Sequence, residues 1–189
     1  MKTASVIVRS ALAVVFAFVM SSASCDLFDK VDDVTFDVIL DHTFHVNEEE
    51  ENPDGKDYFK FEVLDAADVN SDFAKYKDKI KSITVTGVTY TIQNCQTEGV
   101  IFNDGFVGFS AASITAAPSQ VASVGIEDIK AAENKEKNLP YSQAAIDQLS
   151  NLLKDDKKAN LFLLGSFSKT PAQFDVNVTV KASITADAL

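Results

Sequence analysis

The sequence predicts a mainly β protein: an antiparallel β-sandwich of about six to eight strands with two short helices, spanning 34–189 as a single domain. Three observations carry that expectation. Several segments alternate apolar and polar residues with period two, the mark of strands buried on one face. Strands run together at both ends of the chain rather than alternating with helices, which argues against a parallel α/β sheet. Two segments alone show helical spacing with a capping residue in front.

Taken in order, residues 34–46 alternate cleanly, with Val34, Phe36, Val38, Leu40, His42, Phe44 and Val46 on one face. The stretch 47–56 (NEEEENPDGK) reads as a loop with an Asp54-Gly55 turn. Tyr58–Leu64 reads as a strand with Phe59, Phe61 and Val63 facing inward. A short helix follows, capped near Asn70 or Ser71, with Phe73, Tyr76 and Ile80 on its inner side. In 82–94 the apolar phase flips at Gly87, as a β-bulge requires. Gln96–Gly99 turns into Val100–Ser110, giving an expected hairpin.

Strands are expected around Ser113–Thr115 and Gln120–Val124, then a short helix over 126–136. A firmer helix spans Ser142–Lys154, with a serine cap and Ile146, Leu149, Leu152 and Leu153 on one face. A closing hairpin is expected to join 159–168 to 173–185 through Lys169-Thr170-Pro171. In its last strand Phe174, Val176, Val178, Val180, Ala182 and Ile184 share a face.

The first 24 residues differ in kind. Lys2 and Arg9 precede the apolar run Ala11–Met20, and Ser21–Ser24 supplies small residues before Cys25. That is the order of a secretory signal peptide. The run is too short for a bilayer core, which needs roughly 20 residues. Two readings of the cysteines stand open. In one, Cys25 becomes the mature N-terminus and carries lipid, and Cys95 is a buried thiol. In the other, cleavage falls near Ala23 and Cys25 pairs with Cys95 in an oxidising compartment.

Without residues 1–24 the chain holds 15 lysines, no arginine and 28 acids, a net charge of about −13. Binders of nucleic acid rely on Arg and show a basic face, so that function class is excluded. Twelve of the acids lie in 26–57 against Lys30 and Lys56, so the acidity belongs to the entry segment, whose residues 25–33 read as an acidic tether.

No catalytic, cofactor-binding or metal-ligating set is read from these residues. His42 and His45 fall on opposite faces of one strand and cannot share an ion. His42 is expected in the core and His45 in solvent. Asp68-Val69-Asn70-Ser71-Asp72 begins like a calcium loop, but Phe73 replaces the turn glycine and Lys79 the bidentate acid, leaving a helix cap. Glu48–Glu51 with Asp54 and Asp57 reads as a solvated acidic loop, with weak cation gathering as its alternative. No serine or cysteine sits in a nucleophile elbow. With no Trp and four Tyr, platforms for stacking sugars are scarce. Most of the 14 Phe fall on inward faces and read as core before they read as a lipid-binding cavity.

Ser22-Ala23-Ser24-Cys25 resembles the lipobox of bacterial lipoproteins, with Ser22 where Leu is usual. With Lys79–Val85 leading into Tyr90–Asn94, the helix end Leu149–Lys154 and the final Phe174–Ile184 strand, the chain resembles a group of uncharacterised Bacteroidota envelope lipoproteins. The resemblance implies lipid attachment at Cys25 by several acyl chains, hence a permanent membrane tether. It implies an outer-membrane address, facing the periplasm or the cell surface. The acidic 26–33 stretch resembles their surface-export signals, although enteric-type sorting would read Asp beside the Cys as inner-membrane retention. The expected function is a lipid-anchored, non-enzymatic interaction or structural module with an envelope protein as partner and no cofactor. The alternative is a carrier or chaperone of a lipid or other apolar ligand, with an enzyme third.

Overall fold

The computed structural model describes residues 33–188. The chain divides into two units, Met1–Val34 with Asp187–Leu189, and Thr35–Ala186. The signal segment, Cys25 and all of the tether but Asp33 lie outside the described residues. Of the first unit, Asp33, Val34, Asp187 and Ala188 are described.

Eight strands and three helices follow in order: β1 Asp33–Asn52, β2 Lys56–Asp65, α1 Ala66–Val69, α2 Ser71–Tyr76, β3 Ile80–Gln93, β4 Ile101–Ser110, β5 Gln120–Asp128, β6 Lys137–Asn138, α3 Gln143–Asp155, β7 Lys158–Phe167 and β8 Thr170–Asp187. They form two four-stranded sheets. Sheet I has the order β1-β8-β3-β6 and sheet II the order β2-β7-β4-β5. The antiparallel sandwich expected from period-two alternation is the fold observed.

The core lies between the sheets. Leu40, Phe44, Val178, Val180 and Ile184 from sheet I and Phe109, Leu161 and Leu163 from sheet II are buried. Full burial of each such side chain stabilises by about 1.5–3 kcal/mol. In β8 every even residue from Phe174 to Ile184 is buried and the odd ones are polar, as the alternation dictates.

The bulge at Gly87 is present: the β3–β8 register shifts between Val85 and Gly87. Before it, β3 has no outer strand, because β6 pairs only with Thr89 and Tyr90. Helix α3 takes over that edge. Ser142 caps it by accepting from the Ala145 N–H, and Ala145, Leu149 and Leu153 are buried. Ser150 Oγ accepts the Val85 N–H at 3.0 Å and donates to the Ile146 carbonyl at 2.9 Å. Thus a helix side chain satisfies a strand donor that the ladder leaves open.

Several sequence expectations are corrected. Glu48–Glu51 belong to β1, and the turn is only Asn52–Gly55, where Gly55 has φ +83° and a Cβ would collide with the Phe167 carbonyl oxygen. The expected hairpins β3–β4 and β7–β8 do not form: each connection crosses from one sheet to the other. Proximity in sequence suggested pairing, whereas sandwich connections repeatedly change sheet. No strand forms at Ser113–Thr115. That stretch is a loop held against sheet II by the Asn160 amide, which donates to the carbonyls of Ala112 and Ile114. No helix forms over 126–136 either. β5 continues to Asp128, whose carboxylate caps the Lys130 and Ala131 N–H groups, and Asn134 at φ +60° breaks any helical path. The early helix is two short ones, α1 capped by Asp65 and α2 by Asn70, and Ile80 opens β3.

Candidate functional site

Two surfaces stand out, one polar and one aromatic. The polar one grows from the β1–β8 register. Odd residues of both strands face outward, and their side chains pair across the strands: Thr35 with Thr185, Asp41 with Thr179, Thr43 with Asn177 and His45 with Asp175. At the His45 end this ladder opens into a cleft of about 320 Å³, also lined by Asn47, Asn94, Gln96 and Gln173.

His45 Nδ1 lies 2.7 Å from Asp175 Oδ1, and the Asn94 amide donates to Oδ2 at 2.6 Å. Asn94 reaches it from a left-handed backbone, φ +54°, at the end of β3. The Asp175 side chain is 18% exposed and that of His45 73%. Burial pushes the Asp175 carboxyl up, but the Asn94 and His45 hydrogen bonds and the His45 charge together hold it below the usual range. The result is an imidazole oriented by a carboxylate, an arrangement able to donate, accept or relay a proton. The residues that line the cleft include no hydroxyl or thiol, so its reactive groups are the His45 imidazole and the Asp175 carboxylate.

Sequence spacing could not reveal this pair, because 130 residues separate its members. The signal available was weak: two outward polar positions on strands that prove to be neighbours.

His42 lies away from that cleft, as the opposite-face argument expects. It is half-buried, with Nε2 3.0 Å from Glu62 Oε2, and burial outweighs Glu62 to lower its pKa. Glu62 also pairs with Lys60 at 2.7 Å, and Lys60 donates to the His45 carbonyl. Asn70 caps the Ile39 carbonyl. Side chains thus bridge the seam between β1 and β2 without a ladder. A second hollow of about 260 Å³ opens there beside Asn47, Tyr58 and Phe59.

Glu48 pairs with Lys56 at 2.6 Å, and Asn70 Oδ1 accepts the Phe73 N–H, the capping role expected of the Asp68–Asp72 stretch. Among the described residues no group of three or more His, Cys, Asp or Glu is placed to hold a metal ion. Cys95 is buried, donates to the Ile129 carbonyl at 3.3 Å, and has its thiol pushed up to about 11 chiefly by burial.

The aromatic surface is a reversal of expectation. Phe59, Phe61 and Val63 do not face the core: they are 50%, 37% and 48% exposed, while Tyr58 and Leu64 are buried. Phe162 in β7 stands opposite Phe61 and is fully buried beneath the pair, with ring centroids 6.0 Å from Phe59 and 5.7 Å from Phe61. Val63 stands beside Asn160 and Phe59 beside Leu164. Sheet II therefore carries a phenylalanine cluster on its outside. Between the sheets, by contrast, the space lined by Tyr90, Phe102, Leu163 and Phe174 measures about 10 Å³, no more than one water needs.

No family model matches the chain, and no curated protein matches it. Among solved structures, that of Cocksfoot mottle virus is 10% identical, covering 81% of this chain and 84% of that one, with a TM-score of 0.37. Turnip yellow mosaic virus is 12% identical over 82% of this chain and 96% of its own, with a TM-score of 0.37. A decameric BFDV capsid protein is 10% identical over 80% and 98%, also with a TM-score of 0.37. Likeness of that degree carries neither fold nor function.

Proposed function

We propose that this chain is a lipid-anchored envelope lipoprotein whose β-sandwich is a non-enzymatic interaction module, engaging its partner through the outer face of sheet II. One observation carries the module: Phe59, Phe61 and Val63 are presented to solvent on a single strand above the buried ring of Phe162. Contiguous exposed apolar residues on a soluble domain mark interaction surfaces. The outer face of sheet I, lined by Thr35, Asp41, Thr43, Asn177 and Thr179, offers nothing comparable.

The anchor rests on the sequence order of Lys2 and Arg9, the apolar run, the small residues and Cys25. Together with the resemblance to Bacteroidota envelope lipoproteins, it supports an outer-membrane address, with the domain facing the periplasm or the cell surface. The close packing around Phe102 and Phe174 supports a module over a carrier that would hold its ligand between the sheets.

Palmitate labelling in cells tests the anchor: wild type takes up label and Cys25→Ala does not, whereas equal labelling removes it. A photocrosslinking residue placed at Phe59, against one at Thr179 on the other sheet, tests the module. Adducts from position 59 alone are expected, and a position that crosslinks no better than 179 overturns the reading.

A further inference from the structure

We infer that the partner of this face is a second copy of the chain, joined through β2, antiparallel about a twofold axis at Phe61. The inference names the partner of the surface proposed above and so rests on that reading.

β2 is the outermost strand of sheet II, paired on one side only, with β7. An edge strand is a template for a further strand, and proteins commonly block it with charges pointed toward the core. Lys60 and Glu62 sit in that position: both turn toward β1, Lys60 to the His45 carbonyl and Glu62 to His42. Their signs and spacing decide what they block.

Directly opposite residues in an antiparallel pair share a face, and a one-residue slip would set apolar outer positions against inner ones. Twofold pairing of β2 with itself must therefore centre on one residue. Centred on Lys60 it sets lysine against lysine, and centred on Glu62 glutamate against glutamate. Centred on Phe61, it sets Lys60 against Glu62 of the copy, twice. The same register lays Phe59 against Val63, Phe61 against Phe61 and Tyr58 against Leu64. Each exposed apolar side chain of the strand meets another, and each inward charge meets its opposite. At the ends Asp57 meets Asp65, whose charge is already matched by Lys158 at 2.6 Å. The inward pair thus rejects the neighbouring registers and admits this one.

The test is cysteine crosslinking of the full chain in detergent micelles under mild oxidation. Phe61→Cys faces itself across the axis and is expected to give a disulfide-linked dimer, while Thr179→Cys on the outer face of sheet I gives none. Buried Cys95 does not compete. Lys60→Glu should weaken concentration-dependent dimerisation in sedimentation by about tenfold or more, since two attractive pairs become repulsive. Adding Glu62→Lys should restore it; because Lys60 and Glu62 also pair within one chain, the urea midpoint of each variant is read alongside, and only a loss of dimer at an unchanged midpoint counts for the interface. Crosslinking at Phe61 no greater than at Thr179, or no recovery in the double exchange, overturns self-pairing. If that happens while a photocrosslinker at Phe59 still captures another chain, the face stands as an interaction surface and only the identity of its partner falls. If position 59 captures nothing, both readings fall.

Discussion

Replacing Ser150 with alanine probes the joint between α3 and the bulged strand. Its hydroxyl is the acceptor for the Val85 N–H at 3.0 Å, and both residues are buried, Val85 3% and Ser150 8% exposed. Alanine leaves that donor without a partner where water has little access, at about 1–3 kcal/mol. Against this, the hydroxyl's bond to the Ile146 carbonyl is a back-bond that mildly disfavours helix, and alanine is the better helix former by up to about 0.5 kcal/mol. The net expectation is a loss of about 1–2 kcal/mol, which lowers Tm by about 2–8 °C for a domain of this size. Urea unfolding gives the total, and hydrogen exchange at the Val85 amide locates it. Ser142→Ala is the control: it removes the α3 cap at a comparable cost of about 1 kcal/mol and should leave Val85 exchange unchanged, apart from the global loss. If Ser150→Ala changes stability by less than about 0.3 kcal/mol while Val85 stays protected, the helix does not complete the strand edge as argued.

Three further outcomes follow from buried groups. Cys95, with its thiol raised to about 11, should resist a maleimide in the native protein and react at once in denaturant; native reactivity at neutral pH would contradict its burial. Tyr90→Phe deletes the hydroxyl that donates to the buried Glu127 carboxylate at 2.9 Å and should cost about 1–2 kcal/mol in urea unfolding. Glu127 would keep the Lys137 ammonium as its side-chain donor, so Tyr90→Phe with Glu127→Leu should cost less than the sum of the two changes. Asp175 is held below its usual range, so it contributes stability above the ordinary aspartate pKa of about 3.9 and loses it as pH falls through the folded value. Asp175→Asn should therefore be destabilising at pH 7 and converge with wild type below about pH 4; a gap that widens with acid reverses the sign of the argument.

What could be read in advance follows the range of the interactions concerned. The bulge at Gly87 and the helix behind Ser142 are written in periodicity and capping, which act over a few residues, and both are present. Strand pairing acts across the chain. Nothing near residue 93 or 167 says that the next strand joins the other sheet, so local reading supplied hairpins where the chain crosses over. The His45–Asp175–Asn94 cluster was hidden for the same reason: it exists only once β8 lies between β1 and β3. Its parts read singly as an exposed histidine, a polar strand position and an asparagine at the end of another strand.

Strand β2 is more telling, because there the local rule selects the face that the fold turns outward. β2 offers two faces: Phe59, Phe61 and Val63, or Tyr58, Lys60, Glu62 and Leu64. Hydrophobicity alone selects the first as inward, yet the second is. The inner face is apolar only at its ends, where Tyr58 and Leu64 are buried, and its charged middle lies along the seam with β1, where His42 and the His45 carbonyl take up Glu62 and Lys60. The strand thus places its three most apolar central side chains outside and its charges inside. A sequence selected for folding alone has no reason to do so, since exchanging the faces would bury more apolar surface and free two ions from partial burial. Conflicts between local pattern and global fold concentrate where function constrains the residue. By that reasoning Phe59, Phe61 and Val63 are kept outward by what they meet there. Phe61→Ser should accordingly cost only about 1–2 kcal/mol of stability, the ring being 37% exposed yet covering Phe162, while weakening the Phe59 photocrosslink. A large loss of stability with crosslinking intact would return these residues to the core and remove the case for an interaction surface.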